Sequence, residues 1–147
     1  MELTGTHTVD AGPDKVWSLL MNTEALARIT PGISRLEATG ENTFKAISNV
    51  KIGPVSGSFA GDLEMVDIIP NKGFRLMVTQ NSKIGNVAAE VGIKLSEPEP
   101  GKTEISFDGL AKLSGLLART GNRVLSGVAS TLTKQFFQAL EAEIKNS

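Results

Sequence analysis

Histidine is the side chain whose unperturbed charge changes near neutral pH, and this 147-residue chain has one, His7. A general base needs a partner group within reach, and neither a second histidine nor a cysteine is present to serve. By strand alternation His7 faces inward. It either hydrogen-bonds a ligand carbonyl or hydroxyl, or is a buried histidine satisfied by backbone, which is the plainer reading. Asp62, Glu64 and Asp67 crowd a short stretch, but acid–base work needs carboxylates that converge in a cleft. Asp62 and Glu64 share the outward face of one alternating segment, so they read as solvated charges. The lack of cysteine excludes disulfides, thiolate nucleophiles and cysteine-ligated metals. A lone histidine leaves too few good ligands for zinc. No phosphate loop, nucleophile elbow or dinucleotide fingerprint occurs. The residues thus offer no catalytic set and no metal site.

Ser48 and Gln80 are polar residues that alternation turns inward. They can orient the head group of a ligand in an apolar pocket, or bond backbone at a bulge. Arg123, beside an apolar helical stripe, suits either an anionic or carbonyl group at a pocket mouth or an ion pair on its rim. Trp17 reads as packing the first helix onto the fold. The formal net charge is −1, with Lys and Arg spread along the chain. That excludes the basic footprint of a nucleic-acid binder and the polybasic run of a lipid-bound segment.

The elements that must hold these residues are legible from periodicity. Residues 2–10 alternate as a half-buried strand. Gly12-Pro13 opens a helix carrying Val16, Trp17, Leu19 and Leu20. A second short helix starts near Thr23 as N-cap and stops at Pro31-Gly32. Strands follow at 33–39, 43–52 and 55–69, then after the turn at 70–73. A turn at 81–86 precedes a strand carrying Val87, Ala89, Val91, Ile93 and Leu95. Glu97-Pro98-Glu99-Pro100-Gly101 is a strong turn signal, and Ile105, Phe107, Gly109 and Ala111 close the series. Short links between consecutive strands predict an antiparallel meander. From about Leu113 to Lys145 an apolar stripe of Leu113, Leu117, Val124, Val128, Leu132, Phe136 and Leu140 predicts one long helix, about 50 Å in length at 1.5 Å per residue. The pattern is α+β, one domain over residues 1–147. No stretch approaches the ~18 apolar residues of a bilayer span, and Met1 to His7 lacks the features of a signal peptide. A soluble, cytoplasmic protein is expected.

The inward strand positions are unusual in being small. Gly5, Ala46, Ser48, Gly57, Gly61, Ala89, Gly109 and Ala111 are interleaved there with phenylalanines and leucines. Glycine inside a strand marks a bend or a close approach, and together these residues predict a curled sheet with unfilled volume beneath the helix. Gly115, Gly121 and Gly127, each costing about 1 kcal/mol against alanine in a helix interior, point to close packing, a kink or room for a ligand. The predicted contacts of an apolar ligand are Ile29 and Ile33 near the second helix, with Phe44, Ser48, Phe59 and Leu63 on the next strands. Val78 and Gln80 continue the wall, and Leu117, Val124 and Val128 form the helical lid.

Several stretches occur in a telling order: Met1-Glu2-Leu3-Thr4-Gly5, Pro13-Asp14-Lys15-Val16-Trp17, Ile29-Thr30-Pro31-Gly32, Lys51-Ile52-Gly53-Pro54-Val55 and Gly121-Asn122-Arg123-Val124-Leu125. Over essentially its whole length the chain resembles the CoxG family of carbon monoxide dehydrogenase subunits, within the START-like (SRPBCC) polyketide cyclase and lipid-transport superfamily. The resemblance implies a helix-grip fold, in which a curved seven-stranded antiparallel sheet wraps a long C-terminal helix, with two short helices after the first strand. It implies a non-covalently bound quinone or fatty acid/lipid, and a partner in a molybdenum hydroxylase complex of the carbon monoxide dehydrogenase type. The role expected is that of a carrier or accessory protein; a cyclase or aromatase using the cavity, or a ligand-free assembly subunit, is the alternative. Some members of the family carry an apolar C-terminal tail for the membrane. Here the sequence ends at Lys145-Asn146-Ser147, and at most transient membrane contact is expected.

Overall fold

The computed structural model describes residues 1–147. Strand β1 (Glu2–Val9) alternates exposed and covered residues as a two-residue period requires. Helix α1 (Pro13–Leu20) has proline at its first position, where the missing N–H has no intrahelical partner to lose. Helix α2 (Thr23–Ile29) follows. Its cap is Asn22, whose Oδ1 accepts from the Ala25 amide at 3.0 Å, and not Thr23 as expected. An amide side chain one residue earlier reaches the third helical N–H.

The remaining strands are β2 (Ile33–Ala38), β3 (Thr43–Ile52), β4 (Val55–Ile69), β5 (Gly73–Ser82), β6 (Gly85–Ser96) and β7 (Thr103–Leu113). They form one antiparallel sheet in the order β1-β7-β6-β5-β4-β3-β2. The expected turn at 81–86 is tighter, because pairing continues to Ser82 opposite Gly85.

The predicted single helix from Leu113 is two helices. Leu113 ends β7; α3 (Gly115–Thr120) and α4 (Asn122–Lys145) follow. Between them Gly121 adopts φ +99°, a left-handed conformation that a side chain would disfavour. The lid is therefore α4 alone, 24 residues or about 36 Å long. Within α4 a stripe spaced by four residues drifts about 40° per step around the axis. Leu125, not Val124, begins the buried stripe, which continues through Val128, Phe137 and Leu140.

The core is divided. One cluster joins α1, α2, the sheet and the C-terminal half of α4 through Val16, Leu20, Ile29, Phe74, Phe137 and Leu140. The second joins Val55, Phe59, Leu117, Leu125 and Val128 at the other end of α4. Trp17 packs within the first, edge-on to Phe74 at 5.9 Å, as expected of a packing residue. No helix is long and apolar enough to cross a membrane.

Candidate ligand-binding site

Between the two core clusters α4 passes over the sheet without closing on it, and two adjacent apolar chambers lie beneath. The larger, about 410 Å³, is walled by Leu36, Phe44, Ala46, Leu63, Met65, Leu76 and Val78 on the strands, with Thr30, Pro31 and Ile33 beside α2. Leu132, Thr133, Phe136 and Phe137 of α4 roof it. The smaller, about 240 Å³, lies toward α3 and is walled by Val55, Phe59, Ala89, Ala111, Leu117, Leu125 and Val128. Ser48, Val50, Gln80 and Leu132 line both and form the waist between them. The larger chamber falls in the range of roughly 300–1,000 Å³ usual for small-molecule sites.

Of the residues expected to touch ligand, Ile33, Phe44, Leu63 and Val78 line the larger chamber, Phe59, Leu117 and Val128 the smaller, and Ser48 and Gln80 both. Two are placed elsewhere. Ile29 is 1% exposed inside the core beneath α2, since the last turn of that helix points it away from the chambers. Val124 is 40% exposed, because steps of four residues drift about 40° around a helix of 3.6 residues per turn and carry the start of the Val124, Val128, Leu132, Phe136 series off the buried face of α4. Several lining residues lie outside the expected set, among them Leu36, Met65, Leu76, Phe137 and Leu132, the last of which stands in the apolar stripe. Val50 continues the Phe44, Ala46, Ser48 alternation and was likewise readable.

The glycines expected to create the space do not line it. A side chain at Gly5 would meet the Phe107 ring at 2.7 Å, and one at Gly57 would meet Ile84 at 3.6 Å. At Gly61 a Cβ would lie 1.9 Å from the Thr79 carbonyl oxygen. Gly109 is covered by the Glu90 backbone at 2.9 Å. These positions admit neighbours and let the strands coil, whereas Ala46, Ala89, Ala111 and Ser48 are the small residues that border the hollow. Gly61 is the strongest case. It pairs with Gln80 across β4 and β5, so the close approach brings the β5 backbone in at the residue that marks the waist.

Gln80 is 8% exposed. Its Nε2 donates to its neighbour's backbone, Thr79 O, at 3.2 Å, while its Oε1 is buried without a hydrogen-bond partner. Two further polar side chains of the larger chamber are engaged with backbone: Thr30 Oγ1 donates to Leu26 O and Thr133 Oγ1 to Ala129 O. Neither chamber wall contains an Asp, Glu, Lys, Arg or His. The site can enclose and orient an apolar molecule; it presents no acid or base to one.

These features have relatives. The sequence profile of CoxG, a carbon monoxide dehydrogenase subunit, matches residues 5–145. The chain belongs to the CoxG family. A conserved protein from Geobacillus kaustophilus superposes with a TM-score of 0.97 at 31% identity, over 100% of this chain and 97% of that one. A START superfamily protein from Mycobacterium smegmatis gives 0.74 at 13% identity, covering 99% and 97%. The Zhui aromatase/cyclase from a Streptomyces species gives 0.70 at 15%, covering 99% and 93%. At these lower identities the likeness is one of fold, and the fold is START-like. No curated protein matches the sequence.

In this CoxG-family chain His7 lies outside both chambers. It faces an open groove of about 670 Å³ between β1 and α4, lined by Thr4, Thr6, Ser130, Lys134, Gln138 and Glu141 among others. Its Nε2 sits 2.5 Å from Glu141 Oε1 and its side chain is 36% exposed. The expected backbone partner is thus replaced by a carboxylate one helical layer away. Arg123 is exposed and joins no ion pair, so the rim salt bridge does not form. Asp62 and Glu64 are exposed as read, and no three His, Cys, Asp or Glu side chains gather as metal ligands would.

Proposed function

We propose that this CoxG-family protein is a non-enzymatic carrier that holds an apolar molecule of quinone or lipid size and serves a molybdenum-containing carbon monoxide dehydrogenase-type oxidoreductase. The observation that carries the reading is the division of the core: side chains fill both ends of the space under α4 and leave the middle as an uncharged hollow. Burying apolar ligand surface there gains roughly 25 cal/mol per Å². The aromatase/cyclase neighbour makes an enzymatic alternative worth weighing. Cyclisation needs a placed acid or base, however, and the single histidine faces a different groove. The oxidoreductase partner comes from the family's name.

Transient contact with an anionic membrane belongs to the same reading. Lys51 and Lys83 flank the β3–β4 and β5–β6 turns, and Arg119 and Arg123 flank the α3–α4 break; all four are exposed. Helix α3 is tied to the β5–β6 turn by the Leu117 amide on Ile84 O at 2.9 Å, and Leu117 and Leu125 pack with Val55. Cations far apart in sequence are thus gathered at one end of the molecule, beside the exposed Leu116 and Val124 and next to the smaller chamber.

Native mass spectrometry of protein taken from its own host, with organic extraction, should reveal a bound apolar species. Protein that is empty from that source, and whose thermal stability is unmoved by quinones and fatty acids, would refute the carrier role. Co-purification with a molybdenum enzyme regardless of ligand would instead favour an assembly role.

A further inference from the structure

We infer that strand β1 is a self-pairing edge, and that two copies of this chain join through it, antiparallel, about a two-fold axis at Gly5. The sheet ends in β1 on one side and β2 on the other. An open edge carries unpaired N–H and C=O groups, and proteins blunt it with short strands, charges, proline or bulges. Strand β2 has several of these devices: six residues, a register shift between Ile33 and Arg35, and the Arg35–Glu37 ion pair. Strand β1 is left open. Its eight residues keep an unbroken register from Glu2 to Val9, without Lys, Arg or Pro, and its one carboxylate stands at its start.

Which backbone groups are free follows from one pair of bonds. Met1 N donates to Ala111 O at 2.9 Å and Ala111 N to Met1 O at 2.8 Å. Odd-numbered residues of β1 therefore exchange hydrogen bonds with β7, and even-numbered ones turn theirs outward. Glu2, Thr4, Thr6 and Thr8 are exposed, and no backbone hydrogen bond from a turn or loop reaches them. The strand is close to symmetric about Gly5, with threonine on either side. A second β1 centred there pairs Thr4 with Thr6 of its mate and Glu2 with Thr8, each pair occurring twice. Threonines are favourable cross-strand partners, and like charges are not. Sliding by two residues one way sets Glu2 against Asp10 of the mate; sliding the other way leaves Thr8 unpaired. This self-complementarity, which an arbitrary strand lacks, makes the occupant a second copy. Helix α4 stands back from the edge across the groove of about 670 Å³, presenting Ser126, Ser130, Lys134 and Gln138, which leaves room for the inward Leu3 and His7 of the mate.

Sedimentation velocity from about 1 to about 500 µM covers the range of so small a contact. It should show a reversible dimer and nothing larger, since a two-fold contact closes on itself. Thr6→Pro removes an outward N–H and no ladder bond, a place where edge strands accept proline, and should leave a monomer. Should that variant not fold, two charge variants carry the test. Thr4→Lys with Thr6→Lys opposes like charges across the axis and should weaken the dimer by on the order of tenfold. Thr4→Lys with Thr6→Glu pairs opposite charges there and should restore it. A wild-type chain that stays monomeric, association that runs past two copies, or a dimer indifferent to these substitutions overturns the inference. So does a dimer lost alike in both charge variants. Each of these results leaves the carrier reading standing.

Discussion

The His7 imidazole stacks on the Phe137 ring with centroids 4.5 Å apart and planes 19° from parallel. Phe137 also borders the larger chamber, so its ring is the partition between hollow and groove, with histidine on the outer side. Replacing His7 by glutamine removes an outer buttress and not a chamber wall. Ligand affinity, measured by reporter displacement, should change by less than about twofold, since no hydrogen bond to ligand is lost. A large loss of binding would place the ligand in the groove. Phe137→Ala, in contrast, removes the partition and should cost about 3–5 kcal/mol of stability in denaturant unfolding, as large-to-small core changes do.

Two glycines make opposite predictions. At Gly61 an added methyl would sit 1.9 Å from the Thr79 carbonyl oxygen, a backbone atom. Relief requires the β4–β5 pairing to shift, so Gly61→Ala should destabilise by about 1–3 kcal/mol, as overpacking does. It should weaken ligand binding too, because Thr79 orients the Gln80 amide. At Gly127, within α4, an added Cβ meets nothing within 4 Å. Gly127→Ala should therefore stabilise by up to about 1 kcal/mol, the helix-propensity difference. Unfolding of both variants in urea gives the signs directly.

The β2-to-β7 meander and its boundaries are readable because residues such as Val87, Ala89, Val91 and Ile93 keep a strict alternation and the turns carry Gly, Pro and Asn; the pairing of β1 with β7, which joins distant segments, is not. Nor is the break at Gly121, since glycine inside an apolar period is compatible with a continuous helix; its φ of +99° is set by α3 folding back onto the β5–β6 turn, a tertiary demand. The placing of Val124 on the buried face has a separate cause, a strict four-residue spacing that drifts around a helix of 3.6 residues per turn. Gln80 was readable as an inward polar residue. That its oxygen lacks a partner depends on Thr79 O lying 3.2 Å from Nε2, which no alternation encodes. The glycines misled in a different way: small residues on a concave wall signal either space or a close neighbour, and only coordinates distinguish Phe107 lying against Gly5 from an open chamber beside Ala46.

Helices α2 and α4 are joined at their ends by Arg28, whose Nε and Nη2 donate to Glu143 Oε1 at 2.8 and 2.5 Å. The hydrogen bond from Arg28 holds the Glu143 carboxyl below its ordinary value, and the same contact raises Arg28. A carboxyl depressed on folding adds stability that is fully present above its unfolded value and lost as pH falls through the lower folded one. Wild-type protein should therefore lose melting temperature between the ordinary glutamate range and more acidic pH, and Glu143→Gln should lose less over that interval. The pair is at the surface, so the difference should be small and should shrink in high salt. Identical pH profiles for the two proteins would exclude the contact as a contributor.

The end of the molecule formed by Lys51, Lys83, Arg119 and Arg123 draws on three segments free of acidic residues, 43–61, 72–89 and 109–140. A chain of net charge −1 thus carries a locally cationic face. Each Lys or Arg held near an anionic bilayer contributes about 1 kcal/mol, enough for four to give weak, reversible adsorption, with Leu116 and Val124 positioned to enter the headgroup layer. The protein should sediment with vesicles rich in phosphatidylglycerol, remain free with phosphatidylcholine alone, and be released by about 1 M salt, where the Debye length falls to about 3 Å. Arg119→Glu with Arg123→Glu should abolish sedimentation while leaving affinity for a fluorescent apolar reporter intact, because neither arginine lines a chamber. Equal binding to neutral vesicles, or adsorption that survives the charge reversal, would move membrane contact to another surface.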